Sequence, residues 1–433
     1  CERYEKVCVY GVCSMGIEKT MSQMPKKKQI SRFMWLLILL SCAIFFLDYD
    51  ERVLPYNSTI LAFSYKYGFI SRGLAGTIYQ WIDSILPVNM IDYAMVLRFT
   101  LIVTLAFYVL FFAFCYQCMK RCQEEYLGRF LYLILFYAVF VVSMFAYKRN
   151  FGRLDLYLMA LTVIGTMCLI AKKAEWLIVP LSMISVMYHQ GYVFMFYNIL
   201  LALLAYRLLS EKEKKARIYY GVILLVSLIG CSALFLWFEF FSHTDGVRYV
   251  DEIIANAKAM TKPFNGMTYH DTLIDHEILG IDLSDVEYPY RVMNWIEIPF
   301  FIAIISPYIV LAVKLFRRIL ARAQGKTERL KYGFLAIAAG TLLPLFLMKC
   351  DYARWVFALI SYYCMIFLAL VAMGDRIVAE ELTGIFTEIK EKYPFAILLL
   401  LLPALLTPFW DVHINGLLRG ISNPINETFL NLW

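Results

Sequence analysis

Residues 147–155 read Tyr-Lys-Arg-Asn-Phe-Gly-Arg-Leu-Asp, and apolar runs lie on both sides of them, over 131–146 and 156–170. Runs of this kind predict two helices that cross a membrane in opposite directions. The connecting turn is too short to leave the membrane surface, so its cations and its carboxylate lie beside hydrocarbon. Ionisable groups in that position are costly, and by default they mark a working site. The alternative is an interfacial turn whose Lys and Arg side chains reach the lipid headgroups.

The composition of the whole chain agrees with this membrane interpretation. Of its 433 residues, 61% are hydrophobic and 17% are charged, which excludes an ordinary soluble domain and a disordered chain. Its 33 Phe and 31 Tyr residues suit lipid-facing helices and interfacial belts. The net charge of +7 follows the pattern of membrane topology, so we expect no nucleic-acid partner.

Apolar runs predict an all-α fold, a polytopic transmembrane helical bundle of about 11 spans. The predicted spans lie near 33–48, 93–116, 130–147, 154–171, 175–190, 191–208, 218–241, 295–315, 332–349, 353–374 and 394–411. The chain then has three parts. These are a cytoplasmic N-terminal segment over 1–32 that is partly non-native or disordered, the transmembrane bundle over 33–411, and an outer C-terminal tail over 412–433.

The basic residues predict how this bundle is oriented. Lys26, Lys27, Lys28 and Arg32 precede the first span, and most of the 41 Lys and Arg residues fall in loops on that same side. By the positive-inside rule, the N-terminus is predicted to lie inside and the C-terminus outside. The basic loops are interpreted as topological anchors. Residues 376–392 are predicted to form an amphipathic helix on the inner surface.

Two long segments, 49–92 and 242–292, fall on the predicted outer side. Within the first, residues 65–76 read Tyr-Lys-Tyr-Gly-Phe-Ile-Ser-Arg-Gly-Leu-Ala-Gly. This piece is too short to span, and we expect it to lie along the outer interface or to re-enter it. The second segment is acidic and polar, and all five histidines of the chain fall on the outer side. The outer loops therefore carry the candidate chemistry.

The cysteines and the carboxylates do not predict a metal site. Cys115, Cys118 and Cys122 form a C-x2-C-x3-C pattern at a helix end, but no nearby His or fourth thiolate completes a tetrahedral set. Asp48 and Asp50 have the spacing of a Mg-binding DxD motif. This is weak evidence for a metal site, because carboxylate pairs this close to a helix end are common by chance. Several of the 11 Cys lie inside apolar spans, so we expect no disulfide framework.

Four outer junctions carry a similar set of charged and aromatic side chains, at 66–72, 147–155, 188–192 and 349–355. Taken alone, His189 is explained as a satisfied interior hydrogen-bonding group. Arg354 is explained by an ion pair with Asp351 within one helix, beneath an interfacial Trp. The occurrence of all four junctions on one side favours a shared site, because short hairpins at one face of a bundle can converge on one cavity.

These residue types suit an anionic headgroup that carries sugars and a long lipid. Arg binds phosphate oxygens through two hydrogen bonds, and aromatic rings stack on sugars. In glycosyl transfer the departing polyprenyl pyrophosphate gains negative charge, which Arg and Lys stabilise. Candidates for the general base are Asp351, His189 and Asp155. The candidate substrate-binding residues are Tyr67, Arg72, Lys148, Arg149, Arg153, Gln190, Lys349, Arg354 and Trp355.

With these features the chain resembles the bacterial membrane glycosyltransferases of the GT-C superfamily, and within it the O-antigen and capsule repeat-unit polymerases of the Wzy type. The resemblance rests on acidic residues after the first span and on Tyr-Gly-Phe-Ile-Ser-Arg-Gly-Leu at 67–74. It rests also on short outer hairpins with Arg and Asp, and on a large outer loop late in the chain. The chain lacks the clear pair of matching Arg-rich motifs that some such polymerases carry, which leaves the donor and acceptor subsites unassigned.

The resemblance implies a GT-C-like fold in the bacterial cytoplasmic membrane. It implies that undecaprenyl-pyrophosphate-linked oligosaccharides are joined on the outer face without a nucleotide sugar or other cofactor. The implied partners are the lipid-linked oligosaccharide, membrane lipid and a chain-length regulator. Asp351 or His189 would serve the acceptor, and the implied binders of pyrophosphate or glycan are Arg72, Arg149, Arg153 and Arg354.

Three other functions fit parts of the sequence. A GT-C enzyme that adds one sugar from a polyprenyl-phosphate donor would use Asp48, Asp50 or Glu51, with a divalent metal as an option. A transporter or flippase of lipid-linked glycans would need charges through the bilayer depth and broken helices in two halves. A membrane acyltransferase would need an intramembrane His with a dedicated Arg partner, and only His189 comes close.

Overall fold

The computed structural model describes residues 25–48, 53–86, 91–147, 150–242, 247–263, 266–279, 305–348, 352–393 and 395. Within these ranges the chain is all-helical, which confirms the predicted class. In chain order the helices are α1 (Lys26–Asp48), α2 (Pro55–Ile60), α3 (Gly73–Ile85), α4 (Tyr93–Arg121), α5 (Glu124–Ala146), α6 (Asp155–Ala171), α7 (Ile178–Tyr188), α8 (Tyr192–Met195), α9 (Tyr197–Ser210), α10 (Lys214–Phe240), α11 (Val250–Met260), α12 (Asp271–Glu277), α13 (305–322), α14 (Gly325–Ile337), α15 (Leu343–Met348), α16 (Tyr352–Ala372) and α17 (Arg376–Lys392).

Six helical segments in the described ranges are long and apolar enough to cross a membrane. They are Lys26–Phe46, Tyr93–Arg121, Glu124–Ala146, Lys214–Phe240, Gly325–Phe346 and Arg354–Ala372. The predicted spans near 154–171, 175–190 and 191–208 correspond to shorter apolar helices, and the last of these is interrupted at Phe196 between α8 and α9. The predicted span at 394–411, like the predicted tail, lies outside the described residues except for position 395.

Charged side chains mark several of the helix ends. Glu124 and Glu125 occupy the first turn of α5, where the helix dipole favours carboxylates, and Lys120 and Arg121 occupy the last turn of α4, where it favours cations. The side chain of Asp375 caps α17 by accepting a hydrogen bond from the Val378 amide at 3.0 Å. The polar residues between the apolar runs therefore set where the helices start and stop.

The centre of the bundle is formed by α5 and α16. Buried residues make up 78% of the most apolar part of α5 and 89% of that of α16, compared with 22% for α10, so α10 lies at the periphery. Aromatic rings fill the space between α4, α5 and α16. Phe145 packs edge-on against Phe107 at 5.2 Å and against Phe357 at 5.4 Å between ring centroids. Such edge-to-face pairs fix the spacing of these three helices.

The two ends of the bundle are distinct. At one end, which we call the opposite end, the Nζ of Lys26 donates to the carbonyl oxygen of Lys120 at 3.0 Å, so α1 begins where α4 ends. From there α5 leads to the turn at 150–154 at the other end, which we call the site end, and α6 runs back.

At the opposite end, α17 packs as an amphipathic helix, as predicted. Its buried residues are Val378, Ala379, Leu382, Ile385 and Phe386. Its carboxylates pair with α13, since Lys314 lies 2.9 Å from Glu388 and Arg322 lies 3.0 Å from Glu381.

The segment 53–86 folds back onto the site end. It contains α2, a 3-10 turn at Tyr65–Tyr67 and α3, and α3 packs against α7. The backbone of α3 approaches the chain before it very closely, because a Cβ added to Gly76 would lie 1.9 Å from the carbonyl oxygen of Phe63. Only glycine fits there. Residues 65–76, expected to lie along or re-enter the interface, are largely buried against the protein here.

The described part of the second long segment covers this fold. The hydroxyl oxygens of Ser58 and Thr261 lie 2.6 Å apart, and the amide of His270 donates to the hydroxyl of Thr59 at 3.0 Å. These contacts hold α11 and α12 over α2. Two segments that the sequence separates by about 200 residues thus form one layer at the site end.

Candidate functional site

Three arginines from three different parts of the chain meet at the site end. Arg72 lies just before α3, Arg153 just before α6, and Arg354 in the first turn of α16. We call them the arginine cluster. All three act electrostatically on the side chain of His189, which follows α7. Their side chains are each only 11 to 12% exposed, so the three positive charges are held largely away from water.

Arg354 is held by a bidentate ion pair with Asp155. Its Nε donates to Oδ2 at 2.8 Å and its Nη2 donates to Oδ1 at 2.7 Å. The Asp155 side chain is 2% exposed and belongs to the first turn of α6, where the helix dipole favours a carboxylate. Paired, parallel hydrogen bonds of this kind fix both groups in position. The pair joins two of the predicted junctions, 147–155 and 349–355.

Arg153 extends the same network towards the first long segment. Its Nη1 donates to Oδ1 of Asn150 at 3.1 Å, and its Nε lies 4.0 Å from Oδ2 of Asp155. Its guanidinium also lies over the ring of Tyr56, 5.5 Å from the centroid. A guanidinium over an aromatic face is attracted by the ring quadrupole. Tyr56 and Asp155 therefore both act on the Arg153 guanidinium.

Arg72 reaches the same tyrosine from the other direction. Its Nη1 donates to the Tyr56 hydroxyl at 3.0 Å, and its Nη2 lies 2.9 Å from Oε1 of Glu277, which is 2% exposed. The backbone of Arg72 is left-handed, with φ of 58°, a conformation that non-glycine residues adopt rarely and at a cost. The surrounding contacts hold that strained turn, which aims the side chain into the cluster.

His189 and Gln190 occupy the turn between α7 and α8. The Nδ1 of His189 accepts a hydrogen bond from the Gly191 amide at 2.9 Å, so the neutral imidazole carries its proton on Nε2. Burial, followed by the charges of Arg72, Arg354 and Arg153, lowers the pKa of His189 well below 6.5. At neutral pH this side chain is therefore an uncharged donor. Oε1 of Gln190 accepts from the Ser71 hydroxyl at 2.8 Å.

The described cluster carries an excess of positive charge. It contains three guanidiniums and two buried carboxylates, Asp155 and Glu277, with His189 neutral. Asp155 pairs with Arg354 and lies 4.0 Å from Arg153, and Glu277 pairs with Arg72, so three guanidiniums share two carboxylates. An anion that enters this network meets guanidinium groups already oriented by Tyr56, Asn150 and the carboxylates.

The structure separates some predicted residues from this cluster. Tyr67 is buried, and its hydroxyl contacts Glu252 at 3.2 Å and accepts from Asn256 at 2.9 Å. Trp355 is also buried, with its ring 6.2 Å from that of Phe346. Arg354 pairs with Asp155, and the neighbouring Trp355 indole is buried. Four further predicted residues lie outside the described ranges, namely Lys148, Arg149, Lys349 and Asp351.

Sequence reasoning missed three residues that the structure places in or beside the cluster. Tyr56 contacts two of its arginines, Glu277 pairs with Arg72, and His270 packs edge-on against Tyr56 with ring centroids 5.3 Å apart. All three come from the long outer segments, where no helical or strand periodicity relates one residue to another. The polar, histidine-containing composition of 242–292 was the available signal.

Two cavities lie away from the arginine cluster. An apolar cavity of about 90 Å³ lies between α5, α13, α16 and α17, and an open groove of about 800 Å³ lies between α1 and α4 at the opposite end. The apolar cavity begins at Leu359, which is five residues, or about 8 Å of helical rise, beyond Arg354 on α16. One helix thus connects the charged cluster to an apolar interior.

Metal coordination was also assessed from the side chains. In the part of the chain that the structure describes, no group of three or more His, Cys, Asp and Glu side chains is arranged to hold a metal ion. No protein-family model, curated protein or solved structure matches the chain. The function therefore has to be argued from the site itself, because a helical fold alone does not determine activity.

Proposed function

We propose that the chain is a membrane glycosyltransferase that joins polyprenyl-pyrophosphate-linked oligosaccharide repeats at the outer face of a bacterial cytoplasmic membrane. The observation that carries this proposal is the convergence of Arg72, Arg153 and Arg354 around Tyr56 and His189 at one end of an apolar helical bundle. An anionic group attached to a long lipid meets such a site naturally. Its charge lies among the guanidiniums while its lipid stays among the apolar helices.

The proposed reaction is a displacement at the anomeric carbon of the donor sugar. The acceptor hydroxyl oxygen forms the new glycosidic bond while the bond from the anomeric carbon to the pyrophosphate oxygen breaks. The electron pair of that bond leaves with the pyrophosphate, whose growing negative charge the guanidiniums stabilise. The hydroxyl proton passes to a carboxylate. Because the cluster is buried, little water reaches it, and the low local dielectric constant strengthens each of these interactions.

Asp155 is the described candidate for that carboxylate. Both of its oxygens accept from Arg354, so a pyrophosphate that engages Arg354 competes for the guanidinium and releases an oxygen of Asp155 for the proton. His189 is less suited to be the base, because its Nδ1 is occupied by Gly191 and its Nε2 carries the proton. In this proposal His189 donates a hydrogen bond from Nε2 to the substrate. Asp351 remains a second predicted base.

The orientation follows from the distribution of charge. The opposite end carries the basic residues that end α4 and begin α1 and α10, and by the positive-inside rule this end faces the cytoplasm. The arginine cluster then faces outward. We propose that the described helices and the predicted span at 394–411 belong to a GT-C-like bundle of about 11 spans.

A transporter or flippase is supported less well. Asp, Glu, Lys, Arg and His are absent from residues 130–146 of α5 and 355–372 of α16, the two central helices. A polar pathway through the bilayer would need ionisable groups at that depth. In these two helices the charged positions lie at the ends, as expected for chemistry at a surface.

The proposal is tested by complementation in the source bacterium. A strain lacking the gene is expected to make single-repeat surface glycan in place of a ladder on a gel, and the wild-type gene is expected to restore the ladder. Arg354→Lys keeps the charge but loses the bidentate geometry, so we expect roughly a hundredfold loss of polymer. Lys66→Gln is the matched control, because Lys66 is 61% exposed and pairs with Glu252.

Three results would count against the proposal. An unchanged ladder in the deletion strain would remove polymerisation as the function. Normal polymer from Arg354→Lys, with the variant present in the membrane at the wild-type level, would remove the arginine cluster as the site. Loss of glycan only on substitution of Asp48, Asp50 or Glu51 would favour the GT-C enzyme that transfers a single sugar.

A further inference from the structure

The groove between α1 and α4 at the opposite end has its own chemistry. It is lined by Lys26, Lys27, Ile30, Ser31, Met34, Trp35, Ile38, Tyr116 and Lys120. On α1 these positions recur at helical spacing, and on α4 Tyr116 and Lys120 are four residues apart, so each helix presents one face to the groove. Its volume of about 800 Å³ lies in the range of about 300 to 1,000 Å³ typical of ligand sites.

The cations of the groove are available to a ligand. Lys27 and Lys120 are exposed, and in the described part of the chain neither has an acidic side-chain partner. Lys26 is different, since its Nζ donates to the carbonyl oxygens of Lys120 and Cys122 and so ties α1 to the end of α4. The anchoring lysine thus keeps the groove in shape while two other ammonium groups remain at its mouth.

The polarity of the groove changes along its length. Lys27 lies in the first turn of α1 and Lys120 in the last turn of α4. Further along the groove, Trp35 and Tyr116 are 64% and 47% exposed, and Ile38 is the groove residue furthest along α1. From Lys27 to Ile38 the helix rises about 16 Å, roughly half of the hydrocarbon thickness of a bilayer. Aromatic side chains with one polar end favour the headgroup level. This order of charge, aromatic ring and aliphatic surface matches one leaflet of lipid.

We propose that this groove binds an anionic glycerophospholipid of the phosphatidylglycerol type. Its phosphodiester pairs with Lys27 and Lys120, its glycerol region lies beside Trp35 and Tyr116, and an acyl chain lies along Met34 and Ile38. Basic pockets between transmembrane helices on the cytoplasmic side recognise anionic headgroups in this way. The site is separate from the arginine cluster, which lies at the other end of the bundle.

Native mass spectrometry of the detergent-purified full chain tests the proposal. Phosphatidylglycerol and phosphatidylcholine with identical acyl chains are added in equal amounts. We expect wild-type protein to retain phosphatidylglycerol preferentially, and Lys27→Gln/Lys120→Gln to weaken that binding about tenfold to thirtyfold. Lys27→Arg/Lys120→Arg keeps the charges and should keep the lipid. Lys214→Gln/Lys215→Gln is the matched control, because these exposed lysines begin α10 and do not line the groove.

Several results would overturn the inference. Equal retention of the two lipids by the wild type would remove the selectivity for anionic headgroups. Unchanged retention by Lys27→Gln/Lys120→Gln would place the bound lipid elsewhere. Binding of glycerol 3-phosphate at the same concentration would show that the headgroup alone is recognised. Failure of wild-type protein to retain any phosphatidylglycerol would remove the proposed lipid site.

Discussion

Asp155 and Arg354 lie 199 residues apart in the sequence and form one ion pair, in which both carboxylate oxygens accept from the guanidinium at 2.7 and 2.8 Å. The pair joins the start of α6 to the start of α16, one of the two central helices of the bundle. An anionic substrate that binds the guanidinium of Arg354 would therefore have to compete with the carboxylate of Asp155. In the proposed function, stability and catalysis therefore depend on the same contact.

Breaking this pair from one side is expected to be costly. Asp155→Asn leaves the Arg354 charge buried without the carboxylate that binds it, and should lower the free energy of unfolding by about 3 to 5 kcal/mol. Arg354→Gln still leaves Asp155 beside Arg153 at 4.0 Å, so we expect a smaller loss. The double variant should lose clearly less free energy of unfolding than the sum of the losses in the two single variants. Reversible unfolding in mixed micelles measures all four proteins. Strict additivity would show that the two groups do not interact in the folded protein.

Tyr56 is expected to affect activity through two separable contacts. Tyr56→Phe removes the hydroxyl that accepts from Arg72 but keeps the ring under Arg153, so polymer formation should fall roughly tenfold, equivalent to about 1.4 kcal/mol. Tyr56→Leu removes both contacts, so polymer formation should fall further. Glycan ladders from complemented deletion strains give the readout. Equal activity of the two variants would mean that the ring does not position Arg153.

His189 is expected to make stability depend on pH. Its pKa in the folded protein lies well below 6.5, whereas the unfolded chain takes up a proton near that pH. Below about pH 6.5 the unfolded state then binds more protons, so the free energy of unfolding falls as the pH falls, by up to about 1.4 kcal/mol per pH unit from this group. Above pH 6.5 the group contributes no pH dependence.

Unfolding measured between pH 5 and 8 checks this expectation. His189→Gln should flatten the acid side of the profile, because glutamine does not titrate and its side-chain oxygen can still accept from the Gly191 amide. His276→Gln is the control, since that side chain is 40% exposed. A profile for His189→Gln that runs parallel to the wild-type profile would refute a neutral, buried imidazole.

Two glycines in helices should respond oppositely to alanine. In Gly76→Ala the new methyl group would lie 1.9 Å from the Phe63 carbonyl oxygen, so α3 must shift, and we expect a loss of several kcal/mol or failure to fold. In Gly128→Ala nothing lies within 4 Å of the new Cβ. Because alanine favours a helix over glycine, the free energy of unfolding should rise by about 0.5 to 1 kcal/mol. Thermal unfolding in detergent compares them. Equal effects would contradict the close approach of α3.

The apolar runs made most of the fold predictable. Lys26–Asp48, Tyr93–Arg121 and Glu124–Ala146 are helices because long apolar segments have to satisfy their backbone hydrogen bonds internally. The structure also brings Asp155, Arg354, Arg72 and His189 together at one end of the bundle. The break at Phe196 and the short helices at 55–85 were not predicted, because they lack a sustained apolar pattern.

The partners within the site were much less predictable. Helical spacing pointed to Asp351 as the partner of Arg354, because sequence periodicity relates only residues that are close along the chain. Among the described residues Arg354 pairs with Asp155, which the packing of α6 and α16 brings there. Glu277 and Tyr56 were missed for a similar reason, since their roles depend on how two long segments fold over each other.

The dispersed origin of the arginine cluster has a consequence for biogenesis. Residues 56, 72, 153, 189, 277 and 354 contribute to it, so the cluster is complete only after Arg354 has been synthesised. Nascent chains that stop before α16 lack Arg354, whose guanidinium binds both oxygens of Asp155 at the start of α6. We expect such intermediates to be less stable than the folded protein, which gives quality-control proteases a basis for removing unfinished copies.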